Sequence, residues 1–317
     1  MPEWDPEMLA SHEAYLAEAA KLPAIVLRAP FDPQRVINDA LAMTMAGGGP
    51  AMAESSDRWV AGRGRRILCR LHRPVDEPGL PVLVYFHGGG WVWSSVDTHD
   101  RLAREYAAAG RCAVVSVDYA LSPEAKFPQA LEECAAIVRW LGANGAAWGI
   151  DPARIALAGD SAGGNLALAT SLVLRDTGGP ALRGILALYP VCDADFGRPS
   201  YRAYGAGAYF LTEEKMRFYW SAYARDDADR LNPLAAPLRA DLARLPPVLV
   251  QLAELDVLHD EGVALAGRLR AAGVETELQE YAGLIHGFAR ATGRVGKARE
   301  AKDRAGEWLR RVLAGNP

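Results

Sequence analysis

Apolar residues first recur at helical spacing, with Met8, Leu9, Tyr15, Leu16, Ala19 and Ala20 marking one amphipathic stretch and residues 33–45 a second. Gly47-Gly48-Gly49-Pro50 ends it. The pattern then becomes extended over 58–61 and 67–71, with Gly62 and Gly64 between, which predicts an antiparallel hairpin at a sheet edge. Residues 81–86 form a continuous apolar run, as in a strand buried on both faces of a parallel sheet. Strand patterns at 112–117, 154–158 and 184–189 alternate from there with helical ones at 98–109, 128–147 and 162–175. Between 191 and 242 the alternation stops and an aromatic-rich tract follows, in which Thr212, with Glu213 and Glu214 behind it, reads as a capped helix start. Strands at 247–252 and 275–281 and helices at 259–272 and 297–314 restore the pattern.

Repeated strand–helix units predict an α/β fold, with a doubly wound parallel sheet covered by helices on both faces. The tract 191–242 is expected to pack with residues 1–50 as a cap, leaving 51–190 and 243–317 as two parts of one α/β domain. An internal helical layer of that domain is the competing reading. Neither an internal repeat nor a low-complexity linker interrupts the chain.

Composition narrows the class. The 317 residues are 50% hydrophobic and 23% charged, as in a soluble globular protein. A formal net charge of −4 gives no basic footprint, so neither nucleic acid nor an anionic membrane is an expected partner. Cys69, Cys112, Cys134 and Cys192 are scattered with no C-x-x-C pair, which predicts buried, reduced thiols. The first stretch carries Glu3, Asp5, Glu7, Glu13 and Glu18 rather than a basic and then apolar leader. With no apolar run long enough to span a bilayer, a cytoplasmic protein without stable membrane insertion is expected.

The chemistry centres on Gly159-Asp160-Ser161-Ala162-Gly163, set between an expected strand and an expected helix. Glycines two residues to each side let strand and helix approach closely around a strained turn, with the serine hydroxyl at its tip. An isolated match of this kind is equally compatible with a helix-capping serine. A nucleophilic serine needs a base, and the base needs an orienting carboxylate, both on loops after strands. His286, after strand 275–281, is the candidate base, and Asp256, after strand 247–252, the candidate acid; Ser161, Asp256, His286 is the chain order of an α/β-hydrolase triad. His259 is the rival base, although its place before Asp260 and Glu261 suits a partly exposed helix start, and Glu254 is the rival carboxylate. Gly89 and Gly90, with the amide of Ala162, are the candidate donors for a developing oxyanion, and Gly88 is a secondary one. His87 is assigned to holding that loop by hydrogen bonding. A nucleotide site is not expected, because neither G-x-G-x-x-G nor G-K-[ST] is present.

Taken together, His87-Gly88-Gly89-Gly90, Gly159-Asp160-Ser161-Ala162-Gly163, Asp256 with Asp260-Glu261-Gly262, and His286-Gly287-Phe288 resemble the hormone-sensitive lipase family of α/β-hydrolases over nearly the whole chain. Asp97-Thr98-His99 and Asp118-Tyr119 with Pro123-Glu124 are further echoes. Departures are Val257, His259 and Ala120, where the family commonly carries proline, arginine and arginine. The resemblance implies an eight-stranded, mostly parallel sheet under a cap. It also implies a carboxylesterase acting on small esters without metal or organic cofactor, and it allows a homodimer through the edge strand near 275–281. Short-acyl carboxylic esters are the expected substrates. The alternatives are lactones, acetylated sugars or amides, or a non-catalytic ligand receptor on the same fold. Trp91, Tyr209, Phe210 and Phe218 are expected either to shape the pocket or to form lid core.

Overall fold

The computed structural model describes residues 3–314, so the first two positions of segment 1–50 and the last three of segment 243–317 lie outside the described residues. Two helices come first, α1 (Pro6–Ala19) and α2 (Asp32–Ala46). Asp5 caps α1 by accepting from the Met8 N–H at 3.1 Å, and Pro6 occupies the first helical position, where no N–H is needed.

The α/β part begins with β1 (Glu54–Ala61), β2 (Arg66–Arg73) and β3 (Leu80–Phe86). It continues through α3 (Asp100–Gly110), β4 (Ala113–Val117), α4 (Gln129–Asn144), β5 (Ile150–Asp160), α5 (Ala162–Thr177) and β6 (Leu182–Leu188). The aromatic tract supplies α6 (Pro199–Tyr204), α7 (Glu213–Tyr223) and α8 (Asp227–Leu231). The chain closes with β7 (Val248–Leu255), α9 (His259–Ala271), β8 (Thr276–Ile285) and α10 (Gly296–Leu313).

Among the described residues, all eight strands form one sheet in the order β1-β2-β4-β3-β5-β6-β7-β8. β1 with β2 and β2 with β4 are antiparallel, and every other pair is parallel. The fold is therefore the α/β class that the alternation predicts. Within the hairpin only β1 is an edge, because β2 also pairs with β4. β8 ends the sheet on the other side, and the Asp5 N–H bonds the Gly283 carbonyl there at 3.0 Å.

Boundaries differ where side chains intervene. Helix α3 starts at Asp100 rather than near 98, because Thr98 Oγ1 closes a local turn with the N–H and the carbonyl of Ser95. Strand β5 reaches back to Ile150, which pairs with Leu80, although Asp151-Pro152 breaks the apolar pattern. The cap of α7 is the one expected, with Thr212 accepting from the Lys215 N–H at 3.1 Å.

Alternate residues of the central strands feed two cores, one on each face of the sheet. Val82, Val84 and Phe86 face the helices α4 and α5, while Leu83 and Tyr85 face α3 and α10. Each fully buried aliphatic side chain contributes roughly 1.5–3 kcal/mol, so the carboxyl ends of β5, β7 and β8 are anchored from both sides. The aromatic tract and the N-terminal helices meet above those ends. Tyr15 packs edge-on against Phe210 at 5.5 Å between ring centroids, Trp4 stacks on Tyr209 at 5.4 Å, and Phe31 meets Phe218 at 5.9 Å.

Candidate active site

Ser161 lies between the end of β5 and the start of α5 with φ 56° and ψ −119°. A non-glycine residue there stores about 1–3 kcal/mol of strain, which the surroundings must hold. Its N–H bonds the Leu188 carbonyl at 2.9 Å, and its own carbonyl accepts from Val191 at 3.1 Å. Glycine is required on both sides. A Cβ on Gly159 would collide with the Gly163 backbone, and one on Gly163 with the carbonyl of Phe86. The sharp turn and the tight seat of α5 on β3 thus have a single cause.

The turn brings Ser161 Oγ to 2.9 Å from His286 Nε2, and His286 Nδ1 stands 2.7 Å from Asp256 Oδ2. All three side chains are buried. His286 follows β8, and Gly287 at φ 84° turns the chain away from it. Asp256 follows β7 and accepts the Leu258 N–H through Oδ1 at 3.0 Å, which fixes the carboxylate facing the imidazole. This arrangement fits a neutral imidazole carrying its proton on Nδ1, with Nε2 free to accept from the serine. The Tyr189 ring packs against the imidazole at 4.8 Å from below. The rivals are engaged elsewhere. His259 starts α9 with Nε2 at 2.8 Å from Glu280, and Glu254 accepts the Gly283 N–H at 2.8 Å.

The glycine loop after β3 runs beside this serine. Gly89 and Gly90 have φ of 121° and 61°, and added Cβ atoms would strike the Trp93 carbonyl and the Tyr219 ring. Among the described residues, the N–H groups of Gly89, Gly90 and Ala162 form no hydrogen bond; Ala162 opens α5 and has no earlier helical carbonyl to bond. Gly88 corrects the expectation. Its N–H is committed to Asp160 Oδ1 at 2.8 Å and is not a free donor.

Asp160, which the sequence analysis passed over, organises that loop. It also accepts from Tyr85 Oη at 2.7 Å and stands 3.4 Å from His99 Nε2. Burial alone would raise its carboxyl, but facing His99 and the bonds from His99 and Tyr85 hold it well below the usual carboxylate range. The signal was an acid at the end of an apolar strand, directly before the serine. His87 grips the same loop, with Nδ1 2.9 Å from the Gly88 carbonyl and its own carbonyl accepting from Tyr119 Oη at 2.6 Å. Burial, with His99 nearby, pushes its pKa down to about 3, so the ring is neutral.

Above the serine lies a cleft of about 690 Å³, part of it open to solvent. Its outer wall combines Tyr15, Asn38 and Ala42 of the N-terminal helices with Phe210, Leu211 and Tyr219 of the aromatic tract. Of the aromatics expected to shape it, only Phe210 lines it. Trp91 is fully buried and stacks on Tyr223 at 4.1 Å, Tyr209 packs on Trp4, and Phe218 packs on Phe31 and Trp93. Trp91 and Tyr209 are core, and Phe218 is partly buried against Phe31 and Trp93; none of the three lines the cleft.

The chain matches the family model described as the alpha/beta hydrolase fold over residues 83–290. The chain belongs to that family, in its hormone-sensitive lipase branch. Carboxylesterase NlhH of Mycobacterium tuberculosis is 41% identical over 76% of this chain and 76% of its own length. Ethyl acetate hydrolase of Pseudomonas putida is 40% identical over 75% and 76%. Among solved structures, a hyperthermophilic esterase from Pyrobaculum calidifontis superimposes with a TM-score of 0.90 at 36% identity, covering 99% of this chain and 100% of that one. The thermostable carboxylesterase EstE1, cloned from a metagenomic library, gives 0.87 at 36% identity, with 90% and 99% covered. The matched stretch of the family model includes both the glycine loop and the serine turn. Among the described residues, no cluster of His, Cys, Asp or Glu is arranged to hold a metal ion, and no helix is long and apolar enough to cross a membrane. The four cysteines are buried and unpaired.

Proposed function

We propose that this α/β-hydrolase is a serine carboxylesterase that cleaves small, short-acyl carboxylic esters through an acyl-enzyme. The observation that carries the reading is the chain of contacts from Asp256 to His286 at 2.7 Å and from His286 to Ser161 at 2.9 Å, on a strained turn beside three unbonded amides. Ser161 attacks the ester carbonyl while His286 takes its proton. Asp256 stabilises the imidazolium that forms. The carbonyl oxygen, now an anion, is held by the N–H groups of Gly89, Gly90 and Ala162. His286 returns the proton to the leaving alcohol, and water repeats the cycle on the acyl group. Segments 1–50 and 191–242 act as the cap, with Phe210 and Tyr15 setting how much acyl chain fits.

The test is Ser161→Ala. Hydrolysis of p-nitrophenyl butyrate is expected to fall by roughly 10⁶-fold, with labelling by a serine-reactive fluorophosphonate abolished. Wild-type turnover by that variant would overturn the assignment. An unlabelled wild-type protein would instead favour a ligand receptor on the same fold.

A further inference from the structure

The cleft has a second arm. Beneath α1, about 460 Å³ of partly open space is lined by Met8, Ser11, His12, Ile285 and Ala291, and it shares Tyr15, Phe210, His286, Gly287 and Arg290 with the first. Arg290 therefore stands at the junction of both arms, four residues after the base, in the 3₁₀ turn Phe288–Ala291.

No carboxylate bonds it directly, although the buried Asp160 carboxylate of the same cleft lies within its electrostatic reach. Nη2 bonds the carbonyls of Ala42 at 3.1 Å and Thr98 at 3.4 Å. Of the five N–H donors of a guanidinium, those on Nε and Nη1 find no partner among the described residues. No described carboxylate comes within 4.0 Å of Arg290. Arg35 pairs with Glu124, Arg65 with Glu133 and Arg70 with Asp57, whereas Arg290, like Arg139 and Arg183, bonds carbonyls and no carboxylate. Burial raises the Tyr15 phenol and Arg290 opposes that rise, which places the guanidinium within electrostatic reach of the cleft wall.

A second cation lacks a bonded carboxylate. Lys215 bonds the Phe210 carbonyl at 2.9 Å, lies 5.1 Å from the centre of its ring, and also has no carboxylate within 4.0 Å. The second arm is also lined by Ser11, whose hydroxyl is buried and without a partner, whereas Lys215 lines neither arm. A buried hydroxyl left unbonded is unfavourable, and the free Nε and Nη1 donors of Arg290 are not buried, so they stay open to a group that enters the cleft. The ligand group that suits the free donors of Arg290 is an anion with two acceptor oxygens, matched to the planar fork of arginine.

We propose that the cleft selects esters that carry a carboxylate away from the scissile bond, with Arg290 as its recognition residue. The proposal rests on the ester-hydrolase reading above and names the substrate class for the same serine. The carbonyl bonds of Nη2 alone explain the position of the side chain, but they leave the rest of the guanidinium without a role.

The test compares charged esters with neutral ones of similar shape. Monoethyl adipate, with its carboxylate on the acyl side, is paired with ethyl hexanoate; 4-acetoxybutanoate, with its carboxylate on the alcohol side, is paired with butyl acetate. Arg290→Gln is expected to lower the charged-to-neutral ratio of kcat/KM by about 10- to 100-fold in one pair, mainly through KM, and Arg290→Lys to restore part of it. The pair that responds identifies which side of the ester enters the second arm. A ratio within threefold of wild type in both pairs overturns the proposal. Should Arg290→Gln fail to fold, wild type alone decides. Raising NaCl from about 0.05 to about 0.5 M should weaken the charged ester severalfold more than its neutral partner, whereas equal salt response in both pairs overturns the proposal. Neutral esters keep the two readings apart: their hydrolysis with an unmoved ratio sinks only the carboxylate selection, while failure to cleave any ester sinks the esterase reading itself.

Discussion

Around Ser161 the protein is fixed by backbone, whereas around Phe210 it is fixed by side chains packed on one another. On the floor, Gly159 and Gly163 leave no room for a Cβ, and Asp160 ties the glycine loop to the end of β5, directly before Ser161. In the wall Tyr15 meets Phe210, and in the packing behind it Phe31 and Trp4 meet Phe218 and Tyr209, ring to ring. Aromatic pairs of this kind contribute roughly 0.5–1.5 kcal/mol each beyond burial and tolerate repacking, while a glycine under steric lock tolerates nothing. On the proposed reading, reaction type belongs to the floor and substrate choice to the wall.

Substitutions should separate the two regions. Asp256→Asn is expected to lower kcat by about 10⁴-fold by imposing the wrong tautomer on His286, and Glu254→Gln, which loses only a bond from Gly283, to stay within about threefold. Equal losses in steady-state assays of both variants would return the acid assignment to an open contest. Asp160→Asn should cost about 10² in kcat with little change in KM, since the loop it holds acts on the transition state. It also makes a pH prediction. Because the folded Asp160 carboxyl sits below its usual value, its stabilisation is present above about pH 4 and fades as pH falls below that. The gap in thermal midpoint between wild type and Asp160→Asn should narrow over the same descent, and a constant gap would show that the carboxylate charge is not what holds the loop. The smallest effect is expected in the wall: Phe210→Ala should shift the ratio of kcat/KM for octanoate over acetate p-nitrophenyl esters upward by roughly tenfold. A shift in kcat for every ester alike would place Phe210 with the floor instead.

Much of the floor was legible because it is local. A strand, two glycines and a serine sit within a few residues, and the cap of α7 at Thr212 is likewise written in adjacent side chains. What the chain hid depends on contacts between distant segments. Asp160 looks like any acid until Tyr85 and His99 close on it, and Gly88 looks like a free donor until Asp160 takes its N–H. Trp91 follows the glycine loop directly, yet stacks on Tyr223 and leaves the cleft. Short helices such as α6 and α8 carry too few residues for a periodic signal, and the exchange that seats β4 between β2 and β3 follows from tertiary pairing alone.

The cleft takes Tyr15 from near one end of the sequence and His286 and Arg290 from near the other. During synthesis on the ribosome, the serine turn is complete long before its base emerges. A nascent chain thus carries Ser161 without its contact to His286 until 125 further residues have been made, and the proposed site is assembled only once β8 has joined the sheet.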